Sequence, residues 1–126
     1  MTFYHYFQSK TDALNNYLHE IIESYLEECS RSLGTDSFYD AAHVRHAFLF
    51  FDQYAEFFLP LAGASLYCLM IDAINDYMIR FVDPVYPRSH YELYYYGGAL
   101  LNVFLKWEAD GKTEPIDAIV EVICRC

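Results

Sequence analysis

From Leu14 to Ile123 the apolar residues of this chain recur at steps of three and four, and no stretch alternates apolar and polar for long. An α-helix turns once in about 3.6 residues, so this spacing gathers apolar side chains on one face, whereas a half-buried strand needs a period of two. The pattern predicts an all-α fold, a bundle of about five to six helices. Leu14, Leu18, Ile21, Tyr25 and Cys29 form the stripe of a first long helix that Gly34 ends. Ser9-Lys10-Thr11-Asp12 has the form of a capping box opening that helix, with Asp where Glu is usual.

A second helix opens within residues 36–40 and carries Val44, Phe48, Phe51, Ala55 and Phe58 on one face. Leu49, Phe50 and Phe57 widen that face enough to predict a central position, and Pro60 with Gly63 marks its break. A third places Leu66, Leu69, Met70, Ala73, Tyr77 and Phe81 together and turns Asp72, Asn75, Asp76 and Arg80 away. Asp76 and Arg80 stand four apart, the spacing of a helical ion pair.

After a loop bracketed by Pro84 and Pro87, Ser89 is placed to cap a helix with Glu92 three residues on. That helix has two stripes: Tyr91, Tyr94, Gly98, Leu101 and Leu105, and Gly97, Leu100, Phe104 and Trp107. Two stripes require two burial partners. Gly97-Gly98 in the interior costs about 1 to 2 kcal/mol of helix propensity, which close approach of another backbone would rationalise. Gly111 stops the helix, and Thr113 or Glu114 caps the next, with Pro115 in its first turn and Ile116, Ile119, Val120 and Ile123 as its stripe.

At 126 residues the chain is one domain's worth, and 13 Tyr with 10 Phe supply a large core. The net charge of -10 opposes binding to a polyphosphate backbone. Asp52, Glu56, Asp72 and Asp76 interrupt the most apolar stretches, so no membrane span is expected, and the opening residues lack the apolar core of a signal peptide. A cytoplasmic protein with reduced cysteines is the expectation; a redox role for the terminal Cys124 and Cys126 is the sharper alternative.

Phe48, Phe51, Tyr54, Phe58, Tyr67, Met70 and Tyr77 admit two readings, the lining of a ligand pocket or plain core packing. A ligand there is a small apolar molecule oriented by Tyr hydroxyls with Asn75 or His46. His43 and His46 stand three apart and, with His90 or Asp40, outline a weak metal set; no cofactor or metal is expected. Asp72 and Asp76 read as a solvated face. No nucleophile elbow, phosphate loop or H-E-x-x-H motif is present, so catalysis is not expected.

Thr2-Phe3-Tyr4-His5-Tyr6-Phe7-Gln8-Ser9-Lys10 resembles the segment of TetR-family transcriptional regulators that closes the DNA-recognition helix and begins the next. Tyr94-Tyr95-Tyr96-Gly97-Gly98-Ala99 through Trp107-Glu108-Ala109-Asp110-Gly111 and Thr113-Glu114-Pro115 resembles the last two helices of one subgroup. The resemblance implies that residues 1–8 are the remnant of the recognition helix and 9–126 a helical ligand-binding and dimerisation domain. It implies DNA contacts at Thr2, Tyr4, His5, Tyr6 and Lys10. It also implies a homodimer interface containing Tyr94, Gly97, Gly98, Leu101, Phe104, Leu105, Trp107, Ile116, Ile119, Val120 and Ile123.

A complete member of that family carries two further helices ahead of this segment, and they are not in this sequence. As given, the chain is expected not to grip operator DNA specifically, because nothing holds the remnant at an angle to a major groove. The function implied is an effector-responsive, homodimeric DNA-binding regulator. The alternative is a headless interaction or heterodimerisation module that binds a coactivator or a relative without touching DNA.

Overall fold

A computed structural model describes residues 3–33, 40–63, 67–84 and 89–125, with side chains from Lys10 onward. The described residues form six α-helices and no strand: α1 (Phe3–Ser32), α2 (Ala41–Asp52), α3 (Ala55–Gly63), α4 (Tyr67–Tyr77), α5 (His90–Ala109) and α6 (Ile116–Arg125). The all-α bundle read from the apolar spacing is the fold observed. The stripe of α1 is buried from Leu18 through Ile21, Ile22 and Tyr25 to Cys29. It faces α2 and α4, α5 closes the far side against α3 and α4, and α6 lies along α2.

Two expected boundaries differ. The helix does not begin at Ser9; its backbone runs unbroken from Phe3 to Ser32. Nothing in residues 8–12 breaks a helix, interior Ser and Thr cost only tenths of a kcal/mol, and Asp is one methylene short for the reciprocal capping bond. The second break comes earlier than Pro60. The amides of Gln53 and Tyr54 reach back three residues to the carbonyls of Phe50 and Phe51 at 3.2 and 3.0 Å, so α2 ends there. Pro60 then falls inside the short α3, where its missing N–H leaves the Glu56 carbonyl without a helical donor.

The predicted face of α4 also shifts. A π-helical turn (Met78–Val82) follows Tyr77, with the Asp83 amide bonded to the Met78 carbonyl at 3.0 Å. The extra residue rotates the face, so Met78 and Val82 are buried against Leu93 while Phe81 is exposed. The Asp76–Arg80 ion pair forms as expected, at 2.9 Å. Gly97 explains how α4 lies so close to α5: a Cβ built there would meet Ile74 Cγ2 at 2.9 Å and Met78 Cγ at 3.7 Å, whereas one at Gly98 meets nothing within 4 Å.

Gly111 and Lys112, with φ of 79° and 57°, end α5 in a Schellman turn in which the Lys112 amide donates to the Trp107 carbonyl at 2.9 Å. The turn directs Lys112 Nζ to both carboxylate oxygens of Asp52, at 3.1 and 3.3 Å. Beside them Glu108 is buried. Burial, followed by its hydrogen bond with Asp52, pushes the Glu108 carboxyl up to about 7. The same bond, with Lys112 adding to it, holds Asp52 below its ordinary value. Arg45 pairs with Asp117, and Trp107 Nε1 donates to the Glu114 carbonyl at 2.8 Å, so both ends of the turn are fastened.

Gly97→Ala lowers the free energy of unfolding in urea by about 1–3 kcal/mol, the usual range for overpacking, because Ile74 on an opposing helix must move. Glu108 holds its proton more tightly folded than unfolded, so its contribution is complete below about pH 4.5 and is lost as pH rises through about 7. Asp52 acts in the opposite sense: its contribution stands above about pH 3.8 and is lost as pH falls further. Urea midpoints are expected to be highest on the acid side of neutrality and to fall toward alkaline pH. Glu108→Gln removes the alkaline fall, since an amide donates to Asp52 at every pH.

A candidate ligand cavity against the first helix

The long stripe of α1 meets an aromatic-rich wall instead of a layer of branched aliphatics. Tyr25 packs on Phe51, Phe50, His46 and Tyr77 with ring centroids 5.0, 5.4, 5.5 and 6.1 Å away. Phe104 of α5 stands edge-on to Phe48 and Phe58 at 5.6 and 6.1 Å. Flat rings held edge to face keep their centroids roughly 4.5–7 Å apart and fill the corners between helices poorly. A cavity of about 100 Å³ remains, bounded by Leu18, Ile21, Ile22 and Tyr25 on α1, residues of α2 and α4, and Leu100, Leu101 and Phe104 on α5.

Five of the seven residues expected to line a pocket do so: Phe48, Phe51, Phe58, Met70 and Tyr77. Tyr54 does not, because the break at Gln53 turns it onto Phe50 and Phe58, with centroids 5.6 and 6.4 Å away. Tyr67, in the first turn of α4, is exposed. The polar groups expected to orient a ligand are also misplaced. His46 stacks on Tyr25 and points Nε2 toward Glu28 at 3.9 Å, and the Asn75 Oδ1 is buried between α4 and α5.

The polar residue that does line the cavity is His43. Its side chain is 8% exposed, and its Nδ1 lies 3.0 and 2.9 Å from the two carboxylate oxygens of Asp40. Asp40 is also the N-cap of α2, accepting from the His43 amide at 2.9 Å, so one carboxylate fixes both the helix start and the ring. Two hydroxyls complete the polar inventory. Burial pushes the Tyr25 and Tyr77 phenols well above their ordinary range, which keeps both protonated as neutral donors. No Lys, Arg, Asp or Glu lines the cavity.

No family model matches the chain, and neither a curated protein nor a solved structure gives a significant match.

The residues assigned to DNA contact are placed only in part. Thr2 lies outside the described residues, Tyr4, His5 and Tyr6 occupy the first turns of α1 with side chains outside the description, and Lys10 is exposed. Of the expected dimer residues, Gly97, Leu101, Phe104, Trp107, Val120 and Ile123 are buried inside the chain itself. The α5 residues are covered by α3 and α4, with Gly97 against Ile74 and Trp107 on Phe48 at 5.7 Å, while the stripe of α6 turns onto α2. Ile116, Ile119 and Leu105 are half-buried. The face left open on α5 carries Tyr91, Tyr94, Tyr95 and Gly98, with Tyr91 85% exposed.

The histidines weighed as metal ligands take separate partners, and no group of three His, Cys, Asp or Glu suited to a metal occurs among the described residues. Cys29 is buried, Cys68 and Cys124 are exposed, and Cys126 lies outside the description. No helix among the described residues is long and apolar enough to cross a membrane.

The cavity makes Ala73, which is buried and lines it, tolerant of bulk. Ala73→Val is expected to change the free energy of unfolding in urea by less than about 1 kcal/mol, against the 1–3 typical where no void receives the added methyls.

Proposed function

We propose that this chain is the ligand-sensing and self-pairing body of a TetR-like transcriptional regulator, a homodimer whose small apolar effector sits in the cavity against α1. One observation supports it above the rest: the void lies on the helix whose N-terminal end carries the residues resembling the recognition segment. Leaving about 100 Å³ unfilled costs on the order of 2 kcal/mol, at roughly 24 cal/mol per Å³. A guest recovers part of that.

The mechanism follows from the length of α1. At 1.5 Å per residue, about 15 residues separate the cavity-lining stretch from the helix start, so a tilt of about 5° there displaces the start by about 2 Å. A dimer reads DNA through the spacing of its two headpieces, and a shift of that size in each protomer alters the spacing. Operator binding in this reading requires helices preceding Thr2. Pairing uses the open face of α5, where Tyr91, Tyr94 and Tyr95 supply apolar area and Gly98 lets a second backbone approach.

A second reading is favoured by the charge of -10 together with the same tyrosine-rich face: a module that pairs with a coactivator or a relative and never touches DNA. Light scattering and a thermal-shift screen of small apolar molecules separate the two. The first reading expects a dimer, weakened at least tenfold by Gly98→Ala, and a guest that stabilises by about 2.7 kcal/mol at a hundredfold excess over Kd. A dimer indifferent to every guest favours the second. A monomer that Gly98→Ala merely stabilises, by roughly the 1 kcal/mol of helix propensity, removes the pairing face from both.

A further inference from the structure

We infer that the cavity selects a small, neutral, mainly apolar molecule bearing a single hydrogen-bond donor, a phenol or short alcohol, which it binds through the imidazole of His43. The inference rests on reading the void as a binding site and adds what that site accepts.

Charge is excluded first. With no Lys, Arg, Asp or Glu on the walls, a carboxylate or ammonium guest would lose its water without gaining a counterion from them, and that loss amounts to several kcal/mol. Size is bounded next. An engineered apolar cavity of about 150 Å³ takes benzene, so about 100 Å³ bounds the guest at a short chain or, with slight give in the walls, a single small ring.

Polarity comes from the geometry of His43. Asp40 accepts from Nδ1–H at 3.0 and 2.9 Å, which selects one tautomer of the neutral ring and makes Nε2 an acceptor. The carboxylate also keeps the ring from turning to exchange its nitrogens. Because His43 is a lining residue, a guest whose O–H reaches Nε2 gains a hydrogen bond that a hydrocarbon of the same shape cannot make. A site built to bond a donor discriminates against the analogue that lacks it far more sharply than an apolar wall discriminates by size.

Phenol and toluene test this, being nearly the same shape and differing in hydroxyl against methyl. Binding is measured by calorimetry on the whole chain and on His43→Leu. The expected result is that the ratio of phenol to toluene affinity falls at least tenfold in His43→Leu, with toluene binding retained. In the unmodified protein, ¹⁵N NMR of the imidazole should show phenol shifting Nε2 of His43 and toluene leaving it in place, a readout independent of whether the variant folds. An unchanged ratio, or an Nε2 resonance that phenol does not move, overturns the donor assignment and leaves the cavity as a purely apolar site. Benzoate binding as tightly as phenol overturns the neutrality. If neither phenol nor toluene binds the unmodified chain, the sensing role fails along with this inference.

Discussion

Everything in this fold turns on how Tyr25 is buried. It sits in the middle of the α1 stripe and must be covered, and the covering surface is made almost wholly of rings from α2 and α4. Aromatic side chains bury large areas with little loss of rotamer freedom, which suits a bundle of short helices. They are also rigid plates. Branched aliphatics interdigitate to crystal-like density, while plates meeting at steep angles leave gaps. The cavity follows from this choice of residues, and its position against α1 follows from Tyr25 being the point where the plates converge.

The second constraint lies on the opposite side of the same layer. Gly97 lets Ile74 approach α5 to a distance no Cβ would allow, which holds α4 firmly to α5. The π-helical turn after Tyr77 keeps Met78 and Val82 on that contact as α4 ends. One wall of the cavity is therefore anchored by close packing, and α6 is tied to α2 through Arg45 and Asp117. The α1 wall contributes no charged side chain to the cavity, only Leu18, Ile21, Ile22 and Tyr25. Its contacts are with α2 and α4, and residues 3–10 lie at its start.

The helices were legible because burial at steps of three and four admits no other regular structure, and the caps at Ser89 and Gly111 announced themselves as a polar N-cap and a left-handed glycine. What misled was local. Pro60 is a strong breaker in isolation, yet the break fell at Gln53, where the packing of Phe50 and Phe51 on Tyr25 outweighed propensity. Phe81 has the right spacing for a regular helix, and no sequence signal announces the extra residue of a π-turn. For His43 the spacing suggests a metal ligand only weakly, against a solvent-facing or hydrogen-bonded ring, and the hydrogen-bonded ring is what forms. The signal for its actual role was present: an Asp three residues before a His at a helix start can cap the helix and hold the ring with the same carboxylate. Which residues of the two α5 stripes stay inside depended on its packing against α3 and α4, a tertiary fact that leaves Tyr91, Tyr94 and Tyr95 exposed.

Ligand sensing by this chain requires that a guest can occupy the void among these rings. Methyl NMR of the whole chain under increasing xenon pressure tests that most directly, because xenon enters apolar cavities without needing any polar partner. The predicted result is saturable shifts at the methyls of Ile21, Val44, Ile74 and Leu101, which bound the cavity, with Val122 on the exposed side of α6 unaffected. Small linear shifts spread evenly over all methyls would mean that the core is closed, and the sensing role would fall with it.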